Sequence, residues 1–170
     1  MKRTIAVLNG LEQDGVFSRY AIGGAMGAIF YTEPFLTFDL DVFVASKLIT
    51  GGTPVGHTAE MAVPRDALRA RGYVEENECV TIEGVPVQFL PAYNSLVKEA
   101  LNQAKESLYE DVPARVVRSE YLIAIALQTG RNKDRERVRI LREQANIDMD
   151  VLVDIVKRHQ LKERWKQWTE

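Results

Sequence analysis

The spacing of apolar residues along this chain changes several times, and each change marks an element. Ile5, Leu8, Leu11 and Val16 fall at helical intervals and predict a first helix within residues 4–17. Residues 19–22 read as a short strand running into Gly23-Gly24, and residues 25–31 as a helix that starts after the glycine pair. A period of two follows. In TFDLDVFV, residues 37–44, Phe38, Leu40, Val42 and Val44 alternate with Asp39, Asp41 and Phe43, which predicts a largely buried strand over 38–44. Residues 50–58, TGGTPVGHT, read as a turn-rich, mobile loop, and Pro64 suits the first turn of a short helix that ends at residue 70. The stretch ECVTIEGVPVQFL, residues 78–90, predicts two strands joined at Glu83-Gly84. Helical period returns with Leu96, Val97, Ala100, Leu101 and Ala104, predicting a helix over 93–106. A last strand is expected over 114–117. Three helices follow, over 120–128, over 133–144 behind an Asn132 cap and over 149–168 behind an Asp148 cap.

This order, mixed α and β first and helices alone afterwards, predicts an α/β (α+β) fold. A mixed β-sheet flanked by helices would occupy residues 1–118, with a helical C-terminal region, 119–170, packed on it. The 170 residues are enough to bury about 70% of the unfolded surface without a disulfide or metal staple. Cys79 is the only cysteine, which excludes an internal disulfide framework and a cysteine-rich zinc site and leads us to expect a reducing, cytoplasmic setting. No apolar run approaches the length of a membrane-spanning helix, so no membrane partner is expected. The formal charge is −2, from 22 Lys plus Arg against 24 Asp plus Glu, which argues against broad nonspecific binding of nucleic acid. The basic residues are nevertheless uneven: Arg131, Lys133, Arg135, Arg137, Arg139 and Arg142 crowd one segment.

Asp39 and Asp41 are the costly feature of this pattern. Side chains at i and i+2 share one face of a strand, and two like charges on a buried face repel each other and lose hydration. Three arrangements would relieve them: an edge strand facing water, a salt-bridge network with arginines, or shared coordination of a divalent cation. Hard cations such as Mg²⁺ take carboxylate oxygens and complete their shell with water and substrate phosphates. The glycine pair upstream, between a strand and a helix, would let a phosphate approach backbone N–H groups.

Residues 20–44, YAIGGAMGAIFYTEPFLTFDLDVFV, resemble the signature of the nucleotidyltransferase superfamily: an apolar residue, Gly-Gly or Gly-Ser, a helical interval, then Asp-apolar-Asp-apolar. Residues 121–141, YLIAIALQTGRNKDRERVRIL, resemble the C-terminal helical region of its small bacterial and archaeal members, where a leucine-rich helix precedes a Lys-Asp pair. Residues 70–91, ARGYVEENECVTIEGVPVQFLP, are similar to the hairpin that leads to the third strand. The resemblance implies metal-dependent transfer of a nucleotide from a nucleoside triphosphate to an acceptor that the residues do not name. It makes Asp39 and Asp41 the catalytic ligands of Mg²⁺ or Mn²⁺, Gly23 and Gly24 the phosphate cradle, and Lys133 a neutraliser of the triphosphate.

Three departures accompany it. Gln88 stands where catalysing members carry a third carboxylate, with Glu83 five residues earlier in the expected turn; Phe35 replaces an arginine; and 14 residues separate Gly24 from Asp39, slightly more than the usual pattern. An amide can offer an oxygen to a metal but cannot act as a base at neutral pH. Two functional classes therefore stay open: a nucleotidyltransferase, or a nucleotide-binding or protein-interaction module on the same fold, such as one half of a toxin–antitoxin pair. Trp165 and Trp168, three residues apart, are read either as packing residues or as an anchor for a protein partner or a homodimer.

Overall fold

The structure, a computed structural model, describes residues 1–45 and 57–169, with no side-chain placement for 57–63. Among the described residues seven strands form one mixed sheet: β1 (Arg19–Ile22), β2 (Leu40–Ala45), β3 (Glu75–Glu76), β4 (Cys79–Ile82), β5 (Val85–Pro91), β6 (Lys105–Tyr109) and β7 (Val112–Val116), in the order β3-β4-β5-β2-β1-β7-β6. β2 is the central strand. It runs antiparallel to β1 and parallel to β5, while β1 and β7 are parallel.

The alternation along the strands sends side chains to two separate cores. On one face, Tyr20, Ile22, Leu40, Val42 and Val44 pack against Ile5, Leu8 and Leu11 of α1 (Lys2–Gln13) and Leu68 of α3 (His57–Ala70). On the other, Ala21 and Phe43 meet α2 (Gly24–Ile29), α4 (Ser95–Asn102), α5 (Ser119–Thr129), α6 (Asn132–Gln144) and α7 (Met149–Arg158), and α8 (Lys162–Thr169) adds its half-buried tryptophans at the edge. Asp41 shares its strand face with Phe43, so the fold points it toward the second core. That core joins residues from before and after 118 in one cluster, including Leu96 with Ile123 and Leu141.

Several boundaries differ from the sequence reading, each for a local reason. Phe38 is 78% exposed and precedes β2 instead of opening it. The helix expected over 93–106 stops at Asn102, because the chain turns there into β6, which pairs with β7 as a hairpin. The helix expected over 149–168 is two: Gln160 adopts φ +57, a left-handed conformation that ends α7 before α8 begins. Pro64 lies inside α3, which starts at His57, and the N-cap of α6 is Arg131 instead of Asn132. The loop expected over 50–58 falls on residues outside those described, except His57 and Thr58, which begin α3. Trp165 and Trp168 pack half-buried on the helical core, and the Arg142 guanidinium lies 5.3 Å from the Trp165 ring centre.

Candidate functional site

β1 and β2 bring the glycines and the carboxylates together. Antiparallel register sets Ile22 beside Val42, and the Gly23 N–H donates to the Asp41 carbonyl at 2.9 Å. The chain then turns into α2 through Gly24, at φ +57. A Cβ at Gly24 would overlap the Asp41 carboxylate, and one at Gly23 would overlap the Phe43 ring. The room left by the two missing side chains is therefore taken by β2 itself, which is what allows Asp41 to lie against the start of α2.

Asp39 is exposed just ahead of β2; Asp41, inside it, is half-buried. Because β2 is the middle strand, the pair does not owe its tolerance to a sheet edge. Among the described residues neither carboxylate forms an ion pair or accepts a hydrogen bond. Burial pushes the Asp41 carboxyl above its ordinary value and the charge of Asp39 pushes the same way, while Arg137, Arg131 and Lys133 pull against them. Across the parallel pairing with β5, Asp41 faces Gln88. Gln88 is thus its direct neighbour in the sheet, and no group of three carboxylate, histidine or cysteine side chains able to hold a metal is found among the described residues.

These residues border a cavity of about 600 Å³ between the sheet, the segment 35–39 and the helices α5 and α6. Gly24, Asp39, Asp41, Gln88 and Lys133 all line it. Its apolar side comes from Phe35, Leu36, Phe38, Leu122, Ile125 and Ile140, and Tyr93 stands at the border. Its basic side is the start of α6, and Gly130 puts it there. Gly130 ends α5 at φ +75, where an added Cβ would sit 2.5 Å from Arg164 Nη1, and the turn delivers Arg131 and the following residues to the cavity wall. Arg164 holds the corner from α8, donating to the Leu127 carbonyl at 2.7 Å.

No model of a known protein family matches the sequence, and no curated protein does. Solved structures do resemble it. An antigenic nucleotidyltransferase-like protein from Paracoccidioides brasiliensis superposes with a TM-score of 0.56 at 13% identity, over 97% of this chain and 91% of that one. ANT(2")-Ia in complex with adenylyl-2"-tobramycin gives 0.52 at 14% identity, over 95% and 98% of the two chains. A solution structure of the same antibiotic-resistance factor gives 0.52 at 14%, over 98% and 96%. The fold is nucleotidyltransferase-like.

Within this nucleotidyltransferase-like fold, Asp39, Asp41, Gly24 and Lys133 meet at one cavity, and Gly23 sits behind it against Phe43. The sequence reading missed Arg131, Asp134 and Arg137, which share the wall with Lys133. Their spacing of three along α6 was a usable signal, since it repeats on one side of a helix. His159 lies elsewhere, and Cys79 does not line the cavity, although burial and the charges of Asp39 and Asp41 push its thiol up. His159 ends α7 with its Nε2 3.3 Å from Glu99 Oε1, and Cys79 is a half-buried residue of β4. No helix among the described residues is long and apolar enough to cross a membrane.

Proposed function

We propose that the chain is a metal-dependent nucleotidyltransferase acting on a nucleoside triphosphate and a small acceptor. The observation that carries this reading is the half-buried Asp41 beside Asp39, without a described cationic or hydrogen-bonding partner, at the wall of a cavity whose facing wall is basic. A divalent cation such as Mg²⁺ or Mn²⁺ fits that donor set: two hard carboxylate oxygens side by side, one of them charged at a cost that a cation would remove. When bound, such an ion supplies electrostatic stabilisation to the phosphates and acidity to the attacking hydroxyl. Asp39 and Asp41 hold it, Gly24 leaves the space in which Asp41 lies, and Lys133 offsets triphosphate charge. Transfer would form a bond from the acceptor oxygen to the α-phosphorus and break the bond to the departing pyrophosphate, with the acceptor proton passing to solvent or to the carboxylate pair. The presence of adenylyl-2"-tobramycin in one fold neighbour supports an acceptor of small-molecule size.

Gln88 favours a second reading, in which the site binds nucleotide with little turnover. It stands directly across from Asp41 and cannot accept a proton at neutral pH.

Calorimetry tests both at their shared step. Mg²⁺ or Mn²⁺ with each nucleoside triphosphate is titrated into the wild type and into Asp39→Asn/Asp41→Asn. Metal-dependent binding that disappears in the folded double variant is the expected result. A folded wild-type protein that binds none of the triphosphates would remove both readings. Release of pyrophosphate in the presence of candidate hydroxyl acceptors then separates enzyme from binder.

A further inference from the structure

Asp134 is fully buried in the wall that faces Asp41, and two guanidiniums share its carboxylate. Arg131 donates from Nε at 2.7 Å and from Nη2 at 3.1 Å, one to each oxygen, and Arg137 donates from Nη1 at 3.1 Å. The Arg131 backbone N–H also donates to Asp134 Oδ2, at 3.2 Å, which fixes the carboxylate in the first turn of α6. One negative charge therefore holds two positive ones, and the excess faces the cavity. Arg137 leaves 13% of its side chain exposed, and burial works against its charge. Arg131 Nη1 and Arg137 Nη2 have no hydrogen-bond partner among the described residues.

We propose that Arg131 and Arg137, splinted by Asp134, form a polyphosphate clamp, with Asp134 as its positioning residue. The choice of a triphosphate as the natural ligand rests on the nucleotidyltransferase reading; the clamp itself is argued from the geometry. A guanidinium presents a planar fork that matches two phosphate oxygens, whereas a lysine offers a mobile point charge. Held in advance by one buried carboxylate, the two forks lose little side-chain entropy when an anion arrives. In this arrangement the metal-binding pair and the anion-binding pair occupy facing walls, and Lys133 is an accessory charge.

The test is calorimetric titration of inorganic tripolyphosphate in buffer containing EDTA, so that neither metal nor nucleobase contributes. The wild type should bind, and Arg137→Gln should weaken binding about tenfold. Asp134→Asn is the discriminating variant. Removal of a negative charge beside an anion site would tighten binding if Asp134 acted by charge alone, whereas loss of the splint weakens it. Arg137→Lys keeps the charge without the fork and should weaken binding as well. If Asp134→Asn does not give a folded circular dichroism spectrum, Arg137→Lys decides. A wild type that ignores tripolyphosphate, a folded Asp134→Asn that binds as tightly as wild type or more tightly, or an unaffected Arg137→Lys overturns the clamp. Tripolyphosphate binding without metal-dependent nucleotide binding would instead overturn the nucleotidyltransferase reading and leave the clamp standing.

Discussion

Two sets of carboxylates face each other across the cavity, and they have opposite circumstances. Asp134 is wholly buried and wholly partnered, with both oxygens bonded to arginines. Asp39 and Asp41 are less buried and have no such partner among the described residues, and the charge of Asp39 adds to the cost that burial puts on ionising Asp41. A buried acid with two cations belongs to the architecture of its helix; a half-buried acid facing an open cavity is completed by something that arrives.

The contrast can be broken most forcefully at Asp134. Asp134→Ala strands two arginines, one of them largely buried, and should cost about 3 kcal/mol in urea denaturation. Asp41→Ala should come nowhere near that, and equal losses would erase the distinction. Gly24→Ala should cost about 2 kcal/mol, from a left-handed backbone and the overlap with Asp41 together. Combining it with Asp41→Ala should recover part of the loss in a double-mutant cycle, because the overlap with the carboxylate is then gone and only the approach to the Cβ of residue 41 is left.

A smaller effect is expected at Glu99, which ties α4 to α7 through Arg158 at 2.8 Å. Burial opposes ionisation of Glu99, but hydrogen bonding to Arg158 and the neighbouring His159 ring outweigh it and leave the carboxyl below its ordinary value of 4.5. Its stabilisation is therefore complete above that value and is lost as pH falls through the lowered one. Glu99→Gln should destabilise by about 1 kcal/mol at most at neutral pH, and its melting curve should converge with that of wild type in acid. The smallest effect should have the opposite sign. In EDTA, Asp41→Asn removes like-charge repulsion and should raise stability, within about 1 kcal/mol.

What the sequence made legible follows from where the physical signal was local. The alternation that predicts a strand over 38–44 and the break at Gly23-Gly24 are properties of neighbouring residues, and both elements are present, the strand starting at Leu40. β6 was not, because it is an edge strand with its side chains largely exposed, and its only requirement is hydrogen bonding to β7. The split of the final helix depends on one residue, Gln160, whose type does not advertise a left-handed conformation. At the site, the conspicuous pair at the start of β2 was visible as an anomaly of charge in an apolar run. Arg131, Asp134 and Arg137 were hidden inside a charged helix, where a buried acid looks like any other polar residue until the fold closes over it. Lys133 drew attention by adjacency to Asp134, yet the arginines make the closer arrangement.

The register of β2 against β5 also has a consequence at the level of the codon. It places Gln88 level with Asp41 on adjacent parallel strands, where both side chains reach the same cavity. Codons for glutamine and glutamate differ only in their first base. A single transversion at that codon would therefore set a third acid beside the pair without disturbing a strand, a turn or a core residue. A third acid beside Asp41 is thus one base change away, on a scaffold that already holds the position.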